Sequence, residues 1–356
     1  MPRVVIAAGG TAGHVVPALA VADELRAAGA EVEFVGGERA EAQLVPAAGY
    51  PFHAIQVTGI DRRHLLRAAR ALVLAALALP RALALLRRIR PGVVIGGGGY
   101  VAGPVGLAAV LMRIPLVLTE ADSHLGMANR LLAPAARRVF LSFPLAGRGG
   151  SKYVVSGRPL PRTTGRVDRA QARARFGIPA DAQCLLVFGG SLGARTLNEA
   201  AIDAFGAAAP CSVLHASGRR DYEALRARLD KLGSPPHYHL HPYIEPFADA
   251  LAASDLVAAR AGGSVLEVAA AGLPSVLVPY PHATADHQTG NARWMEQEGA
   301  AVVVPDSELD GPRLAREVAA LLGAPARLRA MAAAAQRVAR PDAAQTIARA
   351  ALELSN

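Results

Sequence analysis

Cysteine and aromatic side chains are scarce in this chain, and no long uncharged apolar run occurs. Its two cysteines, Cys184 and Cys211, sit in apolar stretches without CxxC or Cys/His spacing. That excludes a disulfide framework and a zinc knuckle, and fits a reducing compartment. Aromatic residues make up 4% of the chain and no RNP-like string accompanies the arginines, so nucleic acid is not the expected partner. The apolar run Val4–Ala8 leads straight into a glycine turn; it is too short for a signal peptide, and a cytoplasmic location is expected. No Asp-x-Asp occurs, so there is no ready carboxylate pair to hold a divalent ion on a diphosphate.

Acidic residues are nearly missing from one third of the sequence. Residues 62–167 carry 17 basic and 2 acidic side chains, the acids being Glu120 and Asp122; residues 1–61 carry 3 against 7, and residues 168–356 carry 18 against 20. The whole net charge of +9 is therefore concentrated in that third, which calls for an anionic partner. Within it, the leucine-rich stretch 64–90 bears arginines and no acids. It has two readings: a helix resting on an anionic membrane surface, or a crossover helix with its arginines on the wet face. Its charge-free stretch Ala71–Pro80 is well below the roughly 20 residues that span a bilayer, and Pro80 is expected to break or kink it.

What is present describes a folded α/β protein. With 356 residues, 52% hydrophobic and 19% charged, the chain is too apolar for disorder and long enough for two cores. Strands are expected at Arg3–Ala8, Glu31–Val35, Phe52–Val57, Val93–Ile95, Pro115–Leu118 and Val139–Leu141. After a Gly/Pro/Ser-rich run the pattern restarts at Cys184–Phe188, Ser212–Ala216, Tyr238–Leu240, Leu256–Ala259, Ser275–Val278 and Ala301–Val304. Alanine/leucine helices alternate with these strands, which implies two doubly wound, Rossmann-like domains with parallel sheets. The expected division is 1–157 and 158–340, with 341–356 a helix packing back on the first domain. Facing across a cleft, two such domains would bring the C-terminal ends of their strands around one ligand site.

Four glycine clusters sit at strand ends. They are Gly9-Gly10-Thr11-Ala12-Gly13-His14, Gly96-Gly97-Gly98-Gly99-Tyr100, Gly189-Gly190-Ser191-Leu192-Gly193 and Gly262-Gly263-Ser264. Glycine admits close backbone approach, and a helix start offers N–H groups to an anion. The first cluster departs from the GxGxxG fingerprint; Glu38 stands where a dehydrogenase would bind ribose, which keeps that reading open only weakly. His14 is a candidate general base or a helix-start histidine bonded to backbone. The Ser264-x-x-Glu267 spacing reads either as a capping box or as a diphosphate and ribose site. Polar residues follow at 282–291, where His282 and Asp286 are metal candidates, as are His237, His239 and His241 on one strand face. Neither set has a convincing third ligand at metal spacing, and no metal is expected.

Taken together, Gly9-Gly10-Thr11-Ala12-Gly13-His14-Val15-Val16-Pro17, Gly98-Gly99-Tyr100-Val101-Ala102-Gly103-Pro104, Gly189-Gly190-Ser191-Leu192-Gly193-Ala194-Arg195 and Glu267-Val268-Ala269-Ala270-Ala271-Gly272-Leu273-Pro274 closely resemble the MurG family over nearly the whole chain. The resemblance implies a GT-B fold. It also implies an inverting transfer of N-acetylglucosamine from UDP-GlcNAc to a polyprenyl-diphosphate-linked muramoyl acceptor, lipid I, giving lipid II. No cofactor is implied; the expected setting is peripheral, at the cytoplasmic face of the membrane, with a cell-wall synthesis complex as a further partner.

For the displacement itself His14 is the first candidate base and Glu120 the second. For substrate the resemblance implies Thr11, Ala12, Gly13, Arg162 (with Arg158 its rival), Ser191, Ile244, Glu267, His287 and Gln288; Asp122, Gly262, Gly263, Ser264 and Val265 are further substrate-binding candidates. Arg62, Arg63, Arg67, Arg70, Leu72 and Leu74 would face the membrane. Departures occur as well. Thr119-Glu120-Ala121-Asp122 replaces a common His-Glu-Gln-Asn, Ala12 a glycine and Leu192 a glutamine; the 262–267 stretch is one residue short and the 157–162 turn one residue long. These leave three rivals: a GT-B enzyme with another lipid or small-molecule acceptor, a UDP-GlcNAc epimerase, and a non-catalytic membrane-associated UDP-sugar sensor.

Overall fold

The computed structural model describes residues 1–10, 12–57, 65–162, 164–190 and 193–355; for Ala12, residues 65–70 and Leu72 the description covers the backbone alone. Thr11, Arg62, Arg63 and Ser191, among the expected site residues, lie outside it. The chain forms two units, Met1–Pro161 with Arg340–Asn356, and Arg162–Ala339.

In the first unit β1 (Arg3–Ala7), α1 (Ala12–Ala27), β2 (Glu31–Gly36), α2 (Ala40–Ala47) and β3 (Phe52–Ala54) form one half. The other half is α3 (Leu65–Ile89), β4 (Val93–Gly96), α4 (Ala102–Leu111), β5 (Leu116–Glu120), α5 (Met127–Leu132), β6 (Arg138–Leu141) and β7 (Tyr153–Val155). The sheet is parallel in the order β3-β2-β1-β4-β5-β6-β7. β7 was not expected from the sequence: its Tyr-Val-Val core is three residues long and half-buried at a sheet edge. Expected strand Phe52–Val57 stops at Ala54.

Alternate residues of each central strand feed opposite cores. Val4 and Ile6 join α1 in one cluster, while Val5 and Ala7 join α3 and α4 in another. Both faces are covered, which is why the strands read as continuous apolar runs.

The second unit repeats the plan with α6 (Arg169–Phe176), β8 (Cys184–Phe188), α7 (Arg195–Phe205), β9 (Ser212–Ala216), α8 (Tyr222–Lys231), β10 (Tyr238–His241) and α9 (Phe247–Ala253). It continues with β11 (Leu256–Ala259), α10 (Val265–Ala270), β12 (Ser275–Leu277), α11 (His287–Gln297), β13 (Ala301–Val303), α12 (Gly311–Leu322) and α13 (Pro325–Val338). Its parallel sheet runs β10-β9-β8-β11-β12-β13. The chain then closes with α14 (Ala343–Ser355), whose Ala344, Ile347, Ala348 and Ala351 are buried in the first unit's core beside α1.

Two expectations need correcting. The units divide after Pro161 rather than after Gly157, because Ser156 and Gly157 both donate their amides to Leu141 O and Arg158 donates to Gly13 O, which ties residues 156–158 to the first unit. Of the break or kink expected at Pro80, the break does not occur: α3 is continuous from Leu65 to Ile89. Pro80 and Ala76 are both exposed, so the carbonyl that loses its partner to proline faces solvent, where water can satisfy it.

Candidate active site

Strand order reverses direction between β1 and β4 in the first unit and between β8 and β11 in the second. At such switch points the loops after neighbouring strands diverge to opposite faces and leave a crevice above the carboxyl edge. All four glycine clusters lie at these two points.

In the first unit the loop after β1 is pressed against the loop after β4. A Cβ on Gly99, whose φ is +74°, would lie 2.1 Å from Gly9 O, so no other residue fits there without moving the backbone. A Cβ on Gly98 would lie 2.7 Å from His14 Cδ2, which places the His14 ring across that loop. His14 is half-buried in the first turn of α1, and Gly13 before it is exposed.

Pro17 stands inside α1. Lacking an N–H, it cannot bond the carbonyl four residues earlier, that of Gly13. Arg158 fills the vacancy, donating from Nη2 to Gly13 O at 2.8 Å. Arg158, the rival candidate for donor binding, thus braces the histidine loop, while Arg162 is exposed at the start of the second unit.

Glu120 ends β5, which neighbours β4 in the sheet. It is buried, and its oxygens accept hydrogen bonds from Ala121 N (3.0 Å), Asp122 N (3.4 Å), Gly126 N (2.8 Å) and Asn129 Nδ2 (2.9 Å). Burial pushes its carboxyl up to about 7, against the pull of the Gly126 amide and the Asn129 side chain. Asn129 also donates to Thr119 O, which anchors α5 to the strand. Asp122 sits half-buried in the loop that Glu120 holds.

Glu41 was not singled out from the sequence. It is fully buried and accepts from Gly10 N and Gly37 N, each at 2.9 Å. Glu38, the weak ribose candidate, is exposed three residues earlier.

In the second unit the loop after β8 folds on itself through Gly193 N donating to Gly190 O. It meets the loop after β9, where a Cβ on Gly193 would lie 2.2 Å from Ser217 O. Asn198 of α7 bridges the two, its Nδ2 donating to Ser217 O and Asp221 Oδ2. Behind it, His215 Nε2 is 3.0 Å from Asn198 Oδ1 and His215 Nδ1 is 2.8 Å from Tyr238 Oη. The amide oxygen only accepts, so His215 carries its proton on Nε2 and takes one from Tyr238 on Nδ1. Complete burial lowers the imidazole to about 3.

At the β11–α10 turn the capping box is not formed: Ser264 is the N-cap but in helical conformation, and its side chain makes no cap hydrogen bond. The amides of Val265, Leu266 and Glu267 donate instead to the carbonyls of Gly262, Gly263 and Ser264. Glu267 is half-buried on the first turn. The polar run 282–291 is drawn to this turn by Asn291, buried on α11, which donates to Ala261 O. A Cβ on Gly262 would lie 3.9 Å from Gln288 Nε2, and Gln288 Oε1 accepts from Tyr280 N. His287, one residue earlier, donates from Nδ1 to Thr284 O. Gly262, Gly263, Ser264, Val265, Glu267, His287 and Gln288 are therefore gathered at one place. Ile244 differs: its side chain is buried in the core beneath β8 and β9, leaving only its backbone to meet a ligand.

Of the metal candidates, His237 is spent on Phe205 O, and Asp286 accepts from Thr289. Among the described residues no three His, Cys, Asp or Glu side chains are grouped to hold a metal ion.

On α3 the buried stripe is Ala71, Ala78, Ala82, Leu86 and Ile89. Leu74, expected to face the membrane, flanks that stripe and is half-buried; Val73 and Leu77 are the exposed apolar side chains, at 58% and 62%. Arg67 and Arg70 lie on the same helix, with Leu72. Leu107 and Leu111 on α4 and Leu131 on α5 are exposed too; α3 packs on α4 and α4 on α5. Arg81, Arg87, Arg88, Arg113 and Arg130 are exposed beside them. No single helix among the described residues is long and apolar enough to cross a membrane.

Comparison with known proteins bears on both units. Residues 4–141 match the glycosyltransferase family 28 N-terminal domain and residues 184–347 its C-terminal domain. A UDP-N-acetylglucosamine--N-acetylmuramyl-(pentapeptide) pyrophosphoryl-undecaprenol N-acetylglucosamine transferase of Moorella thermoacetica is 45% identical, with 97% of each chain covered. The Methylococcus capsulatus protein of the same name is 43% identical over 99% of this chain and 98% of its own. The crystal structure of Acinetobacter baumannii MurG superposes with a TM-score of 0.80 at 32% identity, covering 99% of this chain and all of that one. With both domain models matched in order and relatives of this identity spanning the full length, the chain belongs to glycosyltransferase family 28 and, within it, to the MurG family of GT-B proteins.

Proposed function

We propose that this protein transfers N-acetylglucosamine from UDP-GlcNAc to undecaprenyl-pyrophosphoryl-N-acetylmuramyl-pentapeptide, forming lipid II, at the cytoplasmic face of an anionic membrane. The observation that carries this is the 45% identity, over 97% of both chains, to a relative named for that transfer. The reaction is a single displacement: the acceptor hydroxyl attacks the anomeric carbon, the configuration inverts, and UDP leaves.

His14 is the base. Its ring lies across the Gly98 loop at the first switch point, and a neutral imidazole is poised to take a proton near pH 7. Glu120 is the weaker choice, since both its oxygens already accept N–H bonds; it shapes the loop bearing Asp122 for the acceptor. The donor belongs to the second unit. Glu267 takes the ribose hydroxyls, the backbone of Ile244 the base, and His287 and Gln288 the sugar. The amides of Gly262, Gly263 and Ser264, with the loop 189–193 and Arg162, meet the diphosphate, whose growing charge they stabilise as UDP departs. Gly13, with Ala12 and Thr11 before it in the sequence, is assigned to the contact with the reacting sugars.

Membrane attachment rests on the exposed leucines of α3, α4 and α5 with their arginine border, a surface that combines apolar insertion with attraction to anionic lipid.

The decisive experiment is transfer of labelled GlcNAc to a soluble lipid I analogue, with chelator in excess and a control lacking acceptor. Acceptor-dependent product is expected, and His14→Ala should lower kcat by about 10²-fold or more. Donor binding without transfer to any acceptor in a panel would turn the reading towards a sensor, and conversion of UDP-GlcNAc alone towards an epimerase. Near-normal turnover by His14→Ala would remove it as the base.

A further inference from the structure

The buried carboxylate of Glu41 has no place in the reaction just described, yet the first unit is built around it. Glu41 lies on α2, and no part of its side chain reaches solvent. Three glycines make room for it. A Cβ on Gly9 would lie 2.7 Å from Glu41 Oε1, one on Gly37 2.9 Å from the same atom, and one on Gly36 2.7 Å from its Cγ. Into that space the carboxylate sends one oxygen to each of two loops, Oε2 to Gly10 N and Oε1 to Gly37 N. A third loop approaches through Tyr100, whose hydroxyl stands 3.5 Å from Oε1. Burial and the nearby Glu41 charge both hold the Tyr100 phenol above its ordinary range.

A buried carboxylate is costly unless its oxygens are met by donors, and a charge-assisted bond to backbone N–H is stronger than a neutral one. Here the two donors come from two different loops, Gly10 after β1 and Gly37 after the neighbouring strand β2. Gly10 begins the turn into α1, and His14 stands four residues further on. Gly99, next to Tyr100, is clamped against Gly9 O, and Gly98 against the His14 ring. Glu41 therefore fixes the one amide from which the His14 turn starts, and leans on the loop that backs the ring.

We propose that Glu41 is a positioning residue for His14, setting the imidazole by holding the Gly10 amide and the Gly37 and Tyr100 loops together. The inference rests on His14 being the base for its kinetic part alone. Misplacement of a reacting group by about 1 Å can cost 10²-fold in rate.

The test pairs Glu41→Gln, which keeps size and one acceptor oxygen but turns an N–H donor towards a backbone N–H, with Gly37→Ala, which displaces the carboxylate sterically and leaves its charge. Transfer is measured with each change in the wild-type and in the His14→Ala background. Glu41→Gln should lower kcat about 10- to 100-fold with the KM for UDP-GlcNAc unchanged, and should have almost no further effect once His14 is alanine. Equal losses in both backgrounds, or near-normal kcat in the first, overturn the proposal. A second readout needs no substrate: the ring resonances of His14, assigned by their loss in His14→Ala, should shift in Glu41→Gln and in Gly37→Ala, while those of His241 in the second unit stay in place. Unmoved His14 resonances overturn the proposal whatever the activity. Should wild-type protein transfer nothing to any acceptor, the proposed reaction fails, and the positioning of His14 by Glu41 is decided by these resonances.

Discussion

Burial and hydrogen bonding pull the Glu120 carboxyl in opposite directions. Desolvation favours the neutral acid, and the donors of Gly126, Asn129 and Asp122 favour the anion; burial prevails, and the group titrates near 7 instead of 4.5. The folded state therefore binds this proton more tightly than the unfolded one. Its contribution to stability is fully present below pH 4.5 and is lost as pH rises through about 7. A shift of this size corresponds to about 3 kcal/mol. Denaturant unfolding of wild type and Glu120→Gln across this range should show the stability difference, wild type minus variant, falling by about that amount as pH rises. A difference that stays constant with pH would mean that the carboxyl is not displaced. Arg158 teaches a related lesson. Its role follows from an absence elsewhere, the missing N–H of Pro17, and the two residues are remote in sequence.

Glycine loops and helix α3 show how far an element's purpose can be read from its residues. The loops after β1, β4, β8 and β11 were legible because glycine at a strand end permits conformations and approaches that other residues do not. Their partners were not. Glu41 lies on α2, Asn198 and His215 on α7 and β9, and nothing in local periodicity distinguishes them from ordinary polar residues. A glycine pair at the end of β2 followed by a glutamate, Gly36-Gly37 and Glu41, was the one available signal. On α3 the leucines and arginines were legible as an amphipathic segment, but its phase was not, since alanine and leucine occupy both faces. Among the described residues the structure leaves Val73 and Leu77 the exposed large apolar side chains of the helix, with Leu74 half-buried beside them. Leu77→Glu should accordingly weaken binding to anionic vesicles by about tenfold or more, as an apolar contact becomes a like charge, with no loss of thermal stability. Unchanged co-sedimentation would exclude this face from the membrane.

At the scale of the molecule, the last helix belongs with the first unit although the whole second unit precedes it. Ile347 is completely buried in the cluster that contains Val4, Ile6 and Leu25. Ile347→Ala should cost about 2–5 kcal/mol, and the loss should fall on one unit. Trp294, the only tryptophan, lies in the second unit. Its fluorescence transition in denaturant should stay in place while the circular-dichroism transition gains an earlier phase; a shift of the tryptophan transition by the same amount would show that the two units unfold as one.

The sequence by itself determined the α/β class, the two-fold repetition of the plan, twelve of the thirteen strands found among the described residues, the four glycine turns and the family. These depend on periodicity and on backbone freedom, which are properties of neighbouring residues. Tertiary structure alone decided that Arg158 meets Gly13 and that Glu41 meets Gly10. Each of those depends on which buried polar group lies opposite, and parallel β/α folding brings opposite one another residues that are far apart along the chain.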